Sequence, residues 1–544
     1  MFLNRKVFPL ALLLSAFLAF WLAENYSFLG NQLKQTSLKN KQLHHTSPPI
    51  SNAGGKIDPF KYSLLEEINE TSVMEFEDLL KQLNPANDWV LSLGKDSLEN
   101  LAVNASIYGI KLVESLAELG VVRVKVLDTK KALPLLTEYI SHNQISPNYT
   151  MRQPLPPRKE LVLDEASFSD SYIEWLGGRD DRTNLGTGVK VALLDSGVDL
   201  SHPMLAGVSI KQTNLLATEG IDGVGHGTAL ASVMVGSTSG IQGIAPRSEI
   251  LSFRVIDKTG KADSFTVASG IVKAVQDGAR VINLSLGAEY GSDVLKHAVG
   301  YARENGVSIV AAVGNDGEGL VNFPAAYDGV IGVSSVGKNG QVSSFSNYGN
   351  GVDIAAPGVG VLAAWELQEM VSFSGTSVST AIVSASIAAE LSNDPTLTSH
   401  DVEDLLLRYA NESGKPGYDL IAGHGILSLG RLENRTNENY SDPALVGYYF
   451  GESGVVSGTV PFEVIIQNQG NTLLNNLNLE VEYLGTMKKF RVNNLAPSEI
   501  RTEKLYLQGS DIDGFLKIDS RLITPSGTKD DRPENNMRNS TISF

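Results

Sequence analysis

Cysteine is absent from all 544 residues of the chain. Its absence excludes a disulfide framework, a thiolate metal site and a cysteine nucleophile, although it does not exclude export. Basic residues are also in the minority, because 44 Lys and Arg face 61 Asp and Glu and the net charge is −17. Since phosphate binding needs a basic surface, this balance argues against nucleic acid as a partner.

The length exceeds what one domain normally holds, and it predicts three or four domains. Apolar residues make up 42% and charged residues 19%, which is typical of a globular chain. Shifts in pattern divide the sequence into five segments: a signal peptide or signal anchor (1–26), a flexible linker (27–60), a small α+β domain (61–155), a larger α/β domain (165–432) and an all-β domain (441–544).

The amino terminus has the order of a secretory signal. Arg5 and Lys6 precede an apolar run from Val7 to Ala23, which predicts export to a secreted, periplasmic or cell-surface location. No pair of small residues in an A-x-A arrangement stands near the end of the run, and its 17 residues are just enough to span a bilayer. A cleaved signal and a retained membrane anchor therefore both remain open.

The segment 61–155 alternates between helical and strand periodicity. The pattern predicts a helix over Leu64–Leu83, a strand at Trp89–Leu91, a helix over Leu98–Leu119, a strand at Val121–Leu127, a helix after Asp128 and a closing strand at Ile145–Met151. These elements make a compact α+β unit.

From Val189 onward, apolar strands alternate with amphipathic helices, which predicts a doubly wound parallel sheet. One strand ends at Asp195, and another runs from Val307 into Asn315. The carboxyl ends of parallel strands form a crevice in which functional groups collect. We therefore expect these polar side chains at one edge of the sheet.

A polar turn at Ser374–Ser377 runs into a helix of Ala, Ser, Val and Ile. It places the Ser377 hydroxyl at a helix N-terminus, where free N–H groups and the helix dipole favour negative charge. Alone, such a turn is typical of a helix cap. A serine nucleophile also needs a base, and His226 stands between two glycines at the head of an Ala-rich helix.

Four segments, Asp195–Gly197, His226–Thr228, Gly314–Asn315 and Gly375–Ser377, resemble the signature blocks of subtilisin-like serine proteases, the peptidase S8 family, and stand in the family's order. The resemblance implies a subtilisin-like sheet and an endopeptidase acting on proteins or peptides. It assigns Ser377 as nucleophile, His226 as general base and Asp195 as the group that orients His226. It also assigns the Asn315 amide and the Ser377 N–H to the oxyanion.

The resemblance also implies residues that contact the substrate, namely Ser285, Leu286, Gly287, Gly314 and Asp222. Relatives hold calcium in the loop that corresponds to Val235–Gly240, but this loop is short and offers no carboxylate. We therefore expect that ion to be missing and no cofactor to be required, while calcium elsewhere stays open. No histidine has a partner at metal-ligand spacing, so no metal site is predicted. The residues Val378–Ile382 depart from the family and predict altered packing.

The flanking domains resemble known modules as well. Ile145–Tyr149 is similar to the end of the family's propeptide, which implies that the small domain assists folding and acts as a tethered inhibitor, with processing near Pro154–Arg158. An unrelated substrate- or partner-binding domain is the alternative. Alternation in Leu477–Tyr483 predicts an antiparallel β-sandwich. Val464–Gly470 resembles bacterial cell-adhesion-related (CARDB-type) domains, which implies a cell-surface ligand, with a stabilising cap as the alternative.

Together these observations predict an exported serine endopeptidase made as a precursor with an inhibitory propeptide. The alternative is a surface adhesion or binding protein whose protease fold is inert. The sequence does not assign the substrate, the processing point or the oligomeric state.

Overall fold

The structure, a computed structural model, describes residues 86–543 apart from 94, 142–143, 155–166, 217–222, 239–240, 451–458 and 509–514. The predicted signal segment, the linker, the helix Leu64–Leu83, the stretch 155–158 and Asp222 lie outside the described residues. Within the described part of the chain, no helix combines the length and apolarity needed to cross a bilayer.

The small amino-terminal unit is an antiparallel sheet with two helices. Its elements are β1 (Asp88–Ser92), α1 (Lys95–Asn104), β2 (Ile110–Leu116), β3 (Val121–Val126), α2 (Thr129–Ser141) and β4 (Ile145–Pro147). The strand order is β2-β3-β1-β4. One face of the sheet packs Trp89, Leu91 and Val122 with Leu101 of α1 and Leu136 of α2. The sheet therefore has its own core.

Two expectations for this unit are wrong. The helix expected over Leu98–Leu119 ends at Asn104, and Ile110–Leu116 forms a strand. Gly109 between them has φ +62°, a left-handed conformation that reverses the chain. The single closing strand is also divided, because Asn148 separates β4 from β5 (Thr150–Arg152), and β5 pairs with another part of the molecule.

The central unit contains a seven-stranded sheet whose neighbouring strands all run parallel. Its strands are β6 (Lys190–Asp195), β7 (Ile210–Asn214), β10 (Glu249–Arg254), β12 (Val281–Leu284), β13 (Ser308–Ala312), β14 (Val330–Val336) and β15 (Ile354–Pro357), in the order β15-β14-β13-β12-β6-β10-β7. The predicted doubly wound fold is confirmed. Shorter strands complete the unit: β8 (Ser237–Thr238), β9 (Ile241–Gln242), β11 (Lys261–Asp263), β16 (Val361–Ala364) and β17 (Met370–Phe373).

Helices cover both faces of this sheet. The helices are α3 (Tyr172–Trp175), α4 (Gly225–Val235), α5 (Ser264–Gln276), α6 (Asp293–Glu304), α7 (Thr376–Asn393), α8 (Ser399–Arg408) and α9 (Leu429–Asn434). The apolar residues of α4 and α7 join one core layer, and those of α5 and α6 join the other. Every residue of α7 from Thr376 to Leu391 is buried. This helix is therefore the centre of its layer.

The carboxyl-terminal unit has two antiparallel sheets around one core, as the alternation predicts. One sheet contains β18 (Pro443–Phe450), β19 (Thr459–Asn468) and β22 (Ile500–Gln508), and the other contains β20 (Leu477–Tyr483), β21 (Thr486–Val492), β23 (Phe515–Ile523) and β24 (Met537–Ser543). In β20 the apolar residues Leu477, Leu479 and Val481 are buried, while Asn478 and Glu482 are exposed.

Polar contacts made by two arginines, one buried and one half-buried, connect this sandwich to the central unit. The Arg431 guanidinium of α9 donates to the Ala410 carbonyl and, at 2.6 Å, to the Ser498 hydroxyl of the sandwich. Burial lowers the pKa of Arg431 to about 10. The Arg532 side chain donates to the Trp175 carbonyl at 3.1 Å. A charged group buried in this way is favourable only while its partners stay in place.

Candidate active site

Asp195 and His226 form a buried pair at the end of the central sheet. Asp195 is the last residue of β6 and is fully buried, and His226 is the second residue of α4. The His226 Nδ1 atom lies 2.8 Å and 3.0 Å from the two Asp195 carboxylate oxygens. The Ser196 backbone N–H also donates to the carboxylate, at 2.7 Å. Because Nδ1 faces the carboxylate, Nε2 points away from Asp195.

Ser377 lies in the first turn of α7, as its sequence context predicts. The turn before it depends on Gly375, whose φ of +145° is strained for other residues. The helix packs against α4, which carries His226. Phe373, just before the turn, contacts the His226 ring edge to face with centroids 5.4 Å apart. Ser377 itself is 2% exposed.

The Asn315 side chain is held in a fixed orientation beside this turn. Its amide oxygen accepts hydrogen bonds from the Thr376 backbone N–H and from the Thr376 hydroxyl, both at 2.9 Å. A Cβ atom placed on Gly375 would lie 3.0 Å from the Asn315 Nδ2 atom. The amide nitrogen therefore faces the turn that leads into Ser377, where it can donate to a negative charge.

A chain of buried hydrogen bonds fixes the position of α7 against the sheet. The Ser285 hydroxyl donates to the Ser377 carbonyl at 3.2 Å, and the Asn283 amide donates to the Ser285 hydroxyl at 3.0 Å. The Ser384 hydroxyl then donates to the Asn283 amide oxygen at 3.0 Å. The sequence prediction missed Asn283, Thr376 and Ser384. An Asn inside the otherwise apolar strand Val281–Leu284 was the available signal.

The residues expected to flank a substrate follow β12 and β13. Leu286 is fully buried and its side chain belongs to the core, so only its backbone is available to a ligand. Gly287 forms a pair of backbone hydrogen bonds with Arg152, at 2.8 Å and 2.9 Å. Gly314 is close to the side chains of Asn322 and Asn347. Asp222 lies outside the described residues, so its expected contact stays a prediction.

The described residues contain no group of three or more His, Cys, Asp or Glu side chains placed to hold a metal ion. The pair at the centre of the site is instead a carboxylate and an imidazole in direct contact. A hydroxyl at a helix N-terminus, an imidazole oriented by a carboxylate and an amide donor together suit acyl transfer. The expectation that no cofactor is required stays a prediction.

Sequence comparisons place these residues in a known context. The peptidase S8 model, described as the subtilase family, matches residues 186–425. Thermitase from Thermoactinomyces vulgaris is 40% identical over 200 residues, which are 36% of this chain and 72% of thermitase. A thermostable alkaline protease from Halalkalibacterium halodurans is 31% identical over 365 residues, which are 65% of this chain and 95% of that protein.

Two solved structures share the fold at lower identity. One is fervidolysin from Fervidobacterium pennivorans, described as a keratinolytic enzyme related to subtilisin. It has a TM-score of 0.55 at 20% identity, and the match covers 84% of this chain and 76% of the fervidolysin chain. The other is the epidermin leader peptide processing serine protease from Staphylococcus aureus. It has a TM-score of 0.53 at 23% identity, and the match covers 64% of this chain and 98% of that protease chain.

Proposed function

The chain belongs to the subtilase family and is a subtilisin-like serine endopeptidase, and from that premise we propose that Asp195, His226, Ser377 and Asn315 carry out peptide-bond hydrolysis. The observation that carries this proposal is the contact of His226 Nδ1 with the buried Asp195 carboxylate, on a helix packed against the helix of Ser377. The substrates are proteins or peptides.

In the proposed reaction His226 acts first as a base. It removes the Ser377 hydroxyl proton through Nε2 while Oγ bonds to the substrate carbonyl carbon. His226 then gives that proton to the leaving amine as the C–N bond breaks, which leaves an acyl-enzyme. Water, deprotonated by the same imidazole, releases the acid and restores the serine. Asp195 orients the ring and stabilises the imidazolium.

Asn315 is proposed to stabilise the negative oxygen that develops during attack. Its amide oxygen accepts two hydrogen bonds from Thr376, so the amide nitrogen keeps one orientation and need not reorient during the reaction. The Ser377 backbone N–H, at the start of α7, is the second proposed donor. The dipole of the 18-residue helix favours negative charge at the same point.

The small amino-terminal unit is proposed to be an inhibitory propeptide. Support comes from β5, which pairs with β11 on one side and with Gly287 on the other, so it lies where substrate is expected to bind. Asn148 also accepts hydrogen bonds at the start of α5, from the Ser264 hydroxyl at 3.1 Å and the Phe265 N–H at 3.0 Å. We propose export for the precursor on the sequence order of Arg5, Lys6 and the apolar run.

The carboxyl-terminal sandwich is proposed to be CARDB-like and to bind a cell-surface ligand or to cap the enzyme. The contacts of Arg431 and Arg532 across the interface support the capping role. Deleting the sandwich distinguishes the roles, since loss of surface binding with unchanged stability would support the ligand role.

Casein hydrolysis tests the catalytic proposal. We expect the wild type to cleave casein, a serine-directed covalent inhibitor to block cleavage, and Ser377→Ala to abolish it. Ser386→Ala is the matched control, because Ser386 is a buried serine of the same helix that donates only to the Ile382 carbonyl. Equal rates for the wild type and Ser377→Ala would contradict the catalytic assignment.

Sequencing the N-terminus of the mature enzyme tests the propeptide. A new terminus between residues 151 and 170 is expected, whereas a mature chain that still begins before Trp89 would contradict the assignment. Peptide-library profiling then distinguishes a broad degrader from a narrow processing protease. An inert surface-binding protein, the second candidate, would bind its surface and cleave nothing.

A further inference from the structure

The small amino-terminal unit exposes several large apolar side chains. Val103 near the end of α1, Ile107 in the turn that follows and Leu127 just after β3 are 79%, 68% and 71% exposed. They are three of the five most exposed large apolar side chains among the residues that the structure describes. A single exposed apolar residue is ordinary on a protein surface, but several on one small unit indicate a surface that binds something.

Val103 and Leu127 line the same groove. It lies between the end of α1, the start of β2 and the residues that lead into α2, and it has a volume of about 710 Å³. The central unit packs against the small unit elsewhere, through Val90, Leu116 and Val121. The groove is therefore separate from the contact with the central unit.

The described part of the chain starts beside this groove. The Val126 N–H donates to the Asn87 carbonyl at 3.0 Å, which places Asn87 next to the end of β3 and hence next to Leu127. Asn87 has φ +50°, a left-handed conformation that turns the chain just before β1. Three residues separate Asn87 from Leu83, and a connection of this length spans at most about 14 Å. The segment that ends at Leu83 is thus tied to the edge of the groove.

That segment, Leu64–Leu83, has an apolar stripe that suits a groove. The sequence predicts a helix here, and Pro85 ends the helical pattern because the residue before a proline disfavours helical backbone. Five large apolar residues fall on one side of the predicted helix, namely Leu65, Ile68, Phe76, Leu79 and Leu83. A helix with such a stripe is stable only when the stripe is covered.

The charges of the segment and of the groove are opposite in sign. Leu64–Leu83 contains six acidic residues and one Lys. The lining of the groove contains Lys111, Lys131 and one acidic residue, Asp128, which pairs with Lys131 at 3.3 Å. The groove therefore has a net positive charge, which favours association with an acidic segment.

We propose that Leu64–Leu83 docks on this groove as a third helix of the small unit, with its apolar stripe covering Val103, Ile107 and Leu127. The unit 86–147 is of a size at which the apolar area buried on folding is barely sufficient, so this further contact stabilises it. The short connection to β1 also gives the segment a high effective concentration at the groove, which a separate partner lacks.

Engineered cysteines test the docking, because the chain contains no cysteine of its own. Leu127→Cys is placed in the full-length Ser377→Ala precursor together with Phe76→Cys or Leu79→Cys on the apolar stripe. Glu77→Cys is the matched control, because it has nearly the same tether but lies on the opposite side of the predicted helix. A disulfide forms only when the two Cα atoms come within about 7 Å. We expect the faster stripe pair to form a disulfide within one chain at least about 10-fold faster than the Glu77 pair.

Cleavage by an added glutamate-specific protease gives a second readout in the same precursor, because the segment contains five Glu residues. Leu127→Ser changes an exposed side chain and leaves the core of the unit intact, yet it should speed cleavage within Leu64–Leu83 by about 10-fold. Val113→Ser is the control, since Val113 is an exposed apolar residue of the same unit that does not line the groove. Cleavage in that variant should proceed at the wild-type rate.

Equal disulfide rates for the stripe pairs and the Glu77 pair would overturn the docking, as would unchanged cleavage in Leu127→Ser. A disulfide between two chains, with a dimer in analytical ultracentrifugation, would mean that a second copy occupies the groove and would also overturn it. Neither readout requires catalysis. Failure of the proposed catalytic function, measured with casein, is therefore distinguishable from failure of the docking.

Discussion

The proposed oxyanion role of the Asn315 amide depends on Thr376, which determines which way the amide faces. Thr376 occupies the amide oxygen with two hydrogen bonds, so the nitrogen is directed toward the turn before Ser377. Asn315 follows β13 while Thr376 belongs to α7, so α7 cannot position Ser377, the proposed nucleophile, without also positioning the residue that holds Asn315. The orientation of the Asn315 amide and the position of Ser377 are thus coupled through one helical turn.

Asn315→Ala should therefore reduce kcat by about 10²–10³-fold with little change in KM, because the lost donor acts mainly on the transition state. Thr376→Val keeps Asn315 and the Thr376 backbone donor, so a smaller loss, about 10-fold, is expected. Steady-state kinetics on one peptide substrate measures both. Equal losses in kcat and in substrate binding for Asn315→Ala would contradict an oxyanion role.

Glu412 lies at the sandwich interface, where its backbone N–H donates to the Gln467 amide oxygen of β19 at 3.0 Å. Burial raises the pKa of Glu412 to about 7, although its carboxylate accepts from the Ser413 and Gly417 N–H groups. The folded protein therefore binds this proton more tightly than the unfolded chain. The stability it contributes is complete at pH below about 4.5 and is lost as pH rises toward 7, by up to about 3 kcal/mol.

Urea unfolding at several pH values between 4.5 and 7.5 measures this effect. Glu412→Gln cannot ionise, so the free energy of unfolding of the variant should fall less than that of the wild type across this window. The exposed Glu438 offers a control, because Glu438→Gln should follow the wild type. Parallel curves for the wild type and Glu412→Gln would show that Glu412 titrates normally.

The residues of the site differ in how far the sequence reveals them. Asp195 ends β6, and His226 and Ser377 each lie in the first turn of a helix, where chemistry is expected. Asn315 follows the end of β13 by three residues. Thr376, Asn283 and Ser384 act through partners 61 to 101 residues away in the chain. Only the folded packing of α7 on the sheet brings those partners together.

At the scale of elements, α7 is a buried helix rich in hydroxyl groups. Apolar packing alone would allow it to slide along the sheet, because Ala, Val and Ile contacts are not directional. The hydrogen-bonded chain from Ser384 through Asn283 and Ser285 to the Ser377 carbonyl specifies one position along the helix axis. This hydrogen-bonded chain determines where Ser377 stands relative to the strands.

Ser384→Ala should consequently destabilise the protein by roughly 1–3 kcal/mol, because the Asn283 amide oxygen loses its donor inside the core. Ser386→Ala removes a hydroxyl of equal size from the same helix, where it donates only to the Ile382 carbonyl. A smaller change is expected there, because this bond lies within one helical turn and its loss leaves no other buried side chain without its partner. Thermal unfolding compares the pair, and equal destabilisation would mean that the hydroxyl chain contributes nothing specific.

Element boundaries were predictable where the periodicity was long and regular, as in Leu477–Tyr483, which is a strand over its full length. They failed at Gly109 and Asn148. The residues around Gly109 read as one helix because apolar positions continue at helical spacing, while the positive φ of the glycine reverses the chain. Asn148 ends β4 because its side chain binds the start of α5, a contact that no local pattern contains.

At the scale of the whole molecule, the sandwich and the protease share buried polar groups. Tyr440 and Asp442 hydrogen bond at 3.0 Å where the two units meet in sequence, and Arg431 reaches across to Ser498. A buried charge without a partner is energetically costly. Separation of the two units would therefore be unfavourable, because Arg431 would lose its Ser498 partner. The two units should therefore unfold together.

A chain that ends at residue 440 should be less stable than the full-length enzyme, with a melting temperature lower by on the order of 5 °C. The reason is that the Arg431 guanidinium would lose the Ser498 hydroxyl as a hydrogen-bond partner. Differential scanning calorimetry of the mature full-length enzyme should give one transition, and the truncated chain one at lower temperature. Two separate transitions, with the protease transition unchanged by truncation, would mean that the sandwich is an independent attachment.

The strand β5 has one more consequence, which concerns dilution. While it is part of the same chain, its effective concentration at the cleft is set by the tether and does not depend on how many molecules are present. Once the chain is cut, the same strand binds as a separate molecule, and its occupancy follows mass action. Under the proposed propeptide role, processed enzyme should therefore remain inhibited at high concentration and gain activity per molecule on dilution.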